Sequence, residues 1–119
     1  MTKVTRAFGA WGEALAAAYL DRAGLVLLAR NWRCADGELD IIARDGETIV
    51  FCEVKTRRSH LFGTPADAVT WTKARRLRSL AGRWLAAHVD DRPAIRFDVV
   101  CVTAPRRGPL AIEHLRGVL

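Results

Sequence analysis

No stretch of the sequence approaches the roughly twenty consecutive apolar residues that a membrane-spanning helix needs. The start, Met1 to Gly12, lacks the apolar run of roughly seven to fifteen residues found in a secretory signal. Neither a membrane partner nor export is therefore expected. Cysteine is scarce: Cys34, Cys52 and Cys101 are widely spaced, odd in number and form no Cys-x-x-Cys pair. That pattern argues against a disulfide framework or a structural zinc site and fits a reducing compartment, so a cytoplasmic location is expected. His60, His88 and His114 have no second His or Cys at ligand spacing, which places all three on the surface or in loops, His60 within possible reach of a phosphate. Repeats, linkers and low-complexity tracts are absent too, so residues 1–119 read as one domain.

What is present is globular in kind. Half of the 119 residues are apolar and 27% are charged, far from the composition of disorder. The net charge of +6 is unevenly placed. Met1 to Val54 carries −2, Lys55 to Arg83 carries +7 and Trp84 to Leu119 carries +1. The middle stretch holds Lys55, Arg57, Arg58, Lys73, Arg75, Arg76, Arg78 and Arg83 against Asp67 alone, which points to a polyanionic partner.

Periodicity supplies the elements. Ala7 to Ala23 reads as an amphipathic helix ended by Gly24. Leu25 to Trp32 and Glu38 to Arg44 read as strands, the second alternating Leu39, Ile41 and Ala43 against Glu38, Asp40 and Ile42. Asp45-Gly46 is a hairpin signal, and Thr48 to Thr56, β-branched and aromatic, is the return strand. After a loop with Phe62 and Gly63, Thr64 and Pro65 cap a short turn ending near Val69. A long helix then spans Thr70 to His88, with Leu77, Leu80, Ala81, Trp84 and Leu85 inward and Lys73, Arg75, Arg76 and Arg83 outward. Arg96 to Thr103 is a buried strand, parallel to the strand before the helix, and Leu110 to Leu115 is an added edge strand.

Glu53 and Lys55 are the most awkward charges, because they sit in a strand otherwise made for burial. Their spacing puts both on one face. With Asp45-Gly46 as a two-residue turn, Arg44 faces Glu47, Asp40 faces Phe51 and Glu38 faces Glu53, which makes Asp40 the diagonal neighbour of Glu53. Carboxylates so placed repel unless a cation or proton lies between them. Oxygen ligands without His or Cys suit magnesium or manganese. Lys55 beside such an ion suits phosphodiester hydrolysis, in which an ammonium stabilises charge developing on the phosphate. Ordinary cross-strand ion pairs on a solvated hairpin face would give the same pattern.

Gly12-Glu13, Asn31-Trp32-Arg33, Gly37-Glu38-Leu39-Asp40, Phe51 to Arg57, Val69 to Lys73 and Arg96-Phe97-Asp98-Val99 together resemble the YraN-like proteins over nearly the whole chain. That family is uncharacterised in function. Its fold is similar to restriction endonucleases and archaeal Holliday-junction resolvases, which implies an α/β class with a mixed sheet flanked by helices, in the order α-β-β-β-α-β with an extra edge strand. The shared motif is an acid followed by Glu/Asp-x-Lys, matched by Asp40 and Glu53-Val54-Lys55. The resemblance implies that Asp40, Glu53 and the Val54 carbonyl bind the metal. It further implies that Lys55 orients or activates water and that Glu13 assists from the helix. Glu38 belongs to the YraN-like motif without an assigned role. Branched or otherwise structured DNA, and a homodimer that cuts two strands, follow from the resolvases.

Arg57 and Arg58 are expected at the mouth of the site, with Lys73, Arg75, Arg76, Arg78 and Arg83 as candidates to track phosphates, Lys73 and Arg76 foremost. A solvated helix face is the plainer reading of the basic run. Trp11, Trp32, Trp71 and Trp84 are expected in the core, with Trp71 and Trp32 retained as stacking candidates because polar residues flank them. Asp98, between Phe97 and Val99, is expected to be a paired structural acid. A non-catalytic nucleic-acid-binding module is the rival to the nuclease, and a sheet-edge adaptor has no positive signal.

Overall fold

The computed structural model describes residues 3–59 and 63–118, so the expectations for His60 and Phe62 lie outside the described residues. Helix α1 (Lys3–Arg22) begins before the expected Ala7. It closes as its glycine predicts: Gly24 adopts φ +96°, and Leu25 N–H bonds back to the Leu20 carbonyl at 3.0 Å. Strands β1 (Val26–Cys34), β2 (Gly37–Asp45) and β3 (Thr48–Arg57) follow. A 3₁₀ turn, Pro65–Ala68, leads into helix α2 (Trp71–His88), whose N-cap Thr70 accepts the Lys73 N–H. Strands β4 (Ile95–Thr103) and β5 (Ala111–Leu115) complete the chain.

The five strands form one mixed sheet in the order β1-β2-β3-β4-β5. Only β3 and β4 run parallel, joined through α2, and the other pairs are antiparallel. The helices cover opposite faces. Ala16, Ala17 and Leu20 of α1 pack with Ile41, Ala43, Val50, Cys52, Val100 and Val102. Leu77, Leu80, Ala81 and Trp84 of α2 pack with Ile42, Ile49, Phe51 and Phe97. No described helix is long and apolar enough to cross a membrane.

Several expectations need correction. Asp45 pairs with Thr48 and Arg44 with Ile49, so the hairpin loop is Gly46-Glu47 instead of Asp45-Gly46. Asp45 stays in the strand because its carboxylate accepts a hydrogen bond from Arg96 Nη1 of β4 at 2.9 Å. The register therefore slips by two residues. Side chains keep their faces, since only an odd slip exchanges them. Alternation in β2 also breaks: Leu39 joins the α2 cluster while Ile41 joins the α1 cluster.

Trp11 is 45% exposed and stacked on Phe8 instead of lying in the core. His114 is not a surface residue: its side chain is 3% exposed, with Nε2 2.7 Å from Asp98 Oδ2. Asp98 is the paired acid expected, fully buried and bound also by Arg96 and by Gly117 N–H. Burial alone would raise its carboxyl, but the hydrogen bonds from His114, Arg96 and Gly117 outweigh that and hold it at about 2. Spacing along the chain could not reveal the His114 partner, because Asp98 lies on the neighbouring strand.

Candidate active site

The site lies where the β2–β3 ladder stops. Ile41 and Cys52 are its last paired residues. Carried past its end, that register would set Asp40 across from Glu53 and, two pairs further, Glu38 across from Lys55. The expected pair Asp40 with Phe51 is replaced, Phe51 pairing with Ile42, and the slipped register no longer sets Glu38 across from Glu53. At the break Asp40 Oδ2 accepts the Val54 N–H at 2.9 Å, a bond that backbone would otherwise make. Burial first and the nearby Glu53 charge second push the Asp40 carboxyl up to about 7, against the lowering effect of the Val54 hydrogen bond.

Glu53 has a cation already. Lys73 Nζ, from the first turn of α2, stands 3.2 Å from Glu53 Oε1, and both side chains are mostly buried. Lys73, expected to point outward, turns in to the acid. Glu13 on α1 completes an acidic group with Asp40, Glu53 and Glu38. Its carboxyl is raised by burial and then, against Arg30, by Glu38 and Glu53. Glu38 is exposed and paired with Arg33 at 3.0 Å. Cys52 faces the α1 core as expected, where burial pushes its thiol upward and leaves it inert.

Two residues without an expected role hold Glu13. Asn31 adopts φ +53°, the only non-glycine with positive φ among the described residues. With its amide NH₂ turned toward α1, it donates to Glu13 Oε1 at 2.8 Å and Oε2 at 3.2 Å. Asn tolerates the left-handed region better than most residues, so an Asn inside an apolar strand was the available signal. Gly12 is the second. A methyl group there would fall inside the Thr56 side chain, so only glycine lets α1 lie this close to β3 and bring Glu13 over it.

Beside the acids opens a cavity of about 590 Å³, lined by Lys55, Arg57, Lys73 and Arg76 with Thr56, Thr70 and Thr72. Three of the four basic residues foremost among those expected at nucleic acid thus share it with Lys55. Arg57 is also anchored, its Nη1 donating to the Gly63 carbonyl at 2.9 Å. Arg58 is not among the cavity's lining residues. Its guanidinium sits 4.1 Å from the centre of the Phe8 ring and donates to the Ala104 carbonyl, a structural clamp between α1 and the residue that follows β4.

Among the described residues no group of three or more His, Cys, Asp or Glu side chains is arranged to hold a metal ion. Glu53 is the neighbouring acid whose charge acts most on Asp40. Their fit to a hard divalent cation rests on repulsion: a half-buried carboxyl raised to about 7 by desolvation and a second carboxylate is stabilised by positive charge.

A family profile described as "Uncharacterised protein family UPF0102" matches residues 12–102. A UPF0102 protein of Beutenbergia cavernae is 56% identical over 112 residues, covering 94% of this chain and 95% of that protein. Those of Kineococcus radiotolerans and Mycolicibacterium vanbaalenii are 53% and 56% identical, covering 94% and 92% of this chain and 93% and 91% of theirs. None of these names states an activity.

Proposed function

Because the chain belongs to the uncharacterised family UPF0102, we propose a function from its geometry: a metal-dependent nuclease that hydrolyses phosphodiester bonds of structured or branched DNA. The observation that carries this is the Asp40 and Glu53 carboxylate pair, linked through Lys73 to a cavity that Lys73 lines together with Lys55, Arg57 and Arg76. The restriction endonuclease-like core implied by the resemblance agrees with the helix order and the mixed sheet, and is part of the proposal.

In this reading Asp40, Glu53 and the Val54 carbonyl hold magnesium or manganese. The ion, when bound, polarises the phosphate and acidifies water. Lys55 contributes an ammonium to the phosphate's developing negative charge. Lys73 leaves Glu53 for a phosphate oxygen, and Arg76 orients the backbone. Glu13, held by Asn31, is a carboxyl poised to exchange a proton near the reacting water.

The test is cleavage of a panel of duplex, flapped and four-way DNA with magnesium or manganese. Wild type should cut at least one substrate, and Asp40→Asn and Lys55→Ala should each lower the rate at least a hundredfold. A wild type that cuts nothing, or variants that cut as fast, would sink the proposal.

The 3.2 Å contact of Lys73 with Glu53 favours a second reading, in which the ammonium replaces the metal and the protein binds nucleic acid without cutting it. Calorimetric titration with magnesium separates the two. Heat that disappears in Glu53→Gln favours the enzyme, and no heat in wild type favours the binding module.

A further inference from the structure

Trp71 is 72% exposed, more than any other large apolar side chain among the described residues. The other tryptophans are accounted for within the protein: Trp84 is in the α2 core, Trp32 packs against it, and Trp11 stacks on Phe8. An indole left in water forgoes the favourable burial of a large apolar surface. Its sequence neighbours Thr70 and Thr72 both line the cavity, so Trp71 stands in the chain between two of its lining residues.

Trp71 also begins a stripe. The spacing of Trp71, Arg75 and Arg78 sets them in line on α2, on the side away from the buried Leu77, Leu80 and Trp84. Among the described residues Arg75, Arg76 and Arg78 have no salt-bridge partner, whereas Lys73 pairs with Glu53 and Arg83 with Asp36. Arg76, which lines the cavity, lies about 100° round the helix from Arg75.

An exposed aromatic with cations in series is how single strands are held: any base offers a π-face, and the charges follow the backbone. A duplex keeps its base faces stacked and hidden. An anionic membrane is the poorer match, because the apolar side of α2 is spent on the sheet and leaves one indole to enter lipid.

We propose that α2 binds a single-stranded segment of nucleic acid at the edge of the cavity, one unpaired base stacking on Trp71 and the adjoining phosphates passing Arg75 and Arg78. This rests on the cavity being a nucleic-acid site, but not on cleavage.

The test is fluorescence anisotropy with the full chain in EDTA, where no metal-dependent cleavage occurs. The probes are a twenty-nucleotide oligothymidine, its fully abasic counterpart and a blunt duplex. Wild type should prefer the oligothymidine. Trp71→Ala should weaken that probe about 5- to 150-fold, leave the abasic and duplex probes unchanged, and be rescued by Trp71→Phe. Arg75→Ala with Arg78→Ala should weaken oligothymidine and abasic probes alike and make the salt dependence shallower by about 1.4 log units per log unit of salt. Unchanged melting curves would show the variants folded. Trp71→Ala binding oligothymidine as wild type does would overturn the proposal, as would an equal loss on all three probes, no oligothymidine binding, or Trp71-dependent capture by phosphatidylserine vesicles. Cleavage retained alongside such a result would leave the nuclease reading standing, and Trp71-dependent binding without cleavage would do the reverse.

Discussion

Asp40 is a half-buried acid and Asp98 a fully buried one, and their surroundings move them in opposite directions. Asp40 is pushed up to about 7 by burial and then by Glu53, so it binds a proton more readily folded than unfolded, where its value is 3.8. Its contribution to stability is complete below about 3.8 and disappears as pH rises through about 7. In EDTA, Asp40→Asn should therefore stabilise the protein at pH 8 by roughly 2 kcal/mol in urea unfolding and flatten the pH dependence between about 4 and 7. An Asn at this position can still accept the Val54 N–H, so a destabilised variant would contradict this account. Asp98, held at about 2, stabilises above its unfolded 3.8 and loses that effect as pH falls through about 2. Asp98→Ala, which strands Arg96 and buried His114, should cost about 3 kcal/mol or more in the same measurement. Charges inside a β-rich strand made Asp40, Glu53 and Lys55 visible from sequence. The His114 and Asn31 partners were not, because each lies on a different element from the acid it binds.

The elements themselves were legible because each carries a periodicity and a stop: Gly24 after α1, Thr70 before α2, β-branched runs in β3 and β4. What failed was finer. The hairpin signal marked the right place but not the register, since Arg96 holds Asp45 in the strand from a distance of fifty-one positions. The break at Leu39 was hidden for a related reason. Alternation describes a paired strand, and at Asp40 the pairing ends in a side-chain bond to Val54. The close approach of α1 to β3 was equally unreadable, yet it gives a sharp comparison between two glycines of the same helix. Gly12→Ala should destabilise by about 1–3 kcal/mol in thermal or urea melts, since the methyl meets Thr56. Gly9→Ala, with open space around it, should be neutral or stabilise by up to about 1 kcal/mol. Equal effects would show that the packing of α1 on β3 does not constrain Gly12.

Over the whole molecule, charge is segregated in sequence and in space. The acids gather where the β2–β3 ladder opens, and the bases line the adjoining cavity and run along α2. That arrangement turns a net charge of +6 into a directional field suited to drawing a polyanion toward carboxylates that would otherwise repel it. Salt should therefore weaken nucleic-acid binding steeply, and Arg76→Ala should lower the slope of log affinity against log salt by about 0.7–0.9. The central claim is that the Asp40 and Glu53 pair is a divalent-cation site that Lys73 occupies when no metal is bound. A crystal structure of the protein soaked in manganese, with anomalous scattering recorded, tests it most directly. The account predicts an anomalous peak coordinated by Asp40, Glu53 and the Val54 carbonyl, with Lys73 withdrawn from Glu53; no peak there, with Lys73 still on Glu53, would contradict it.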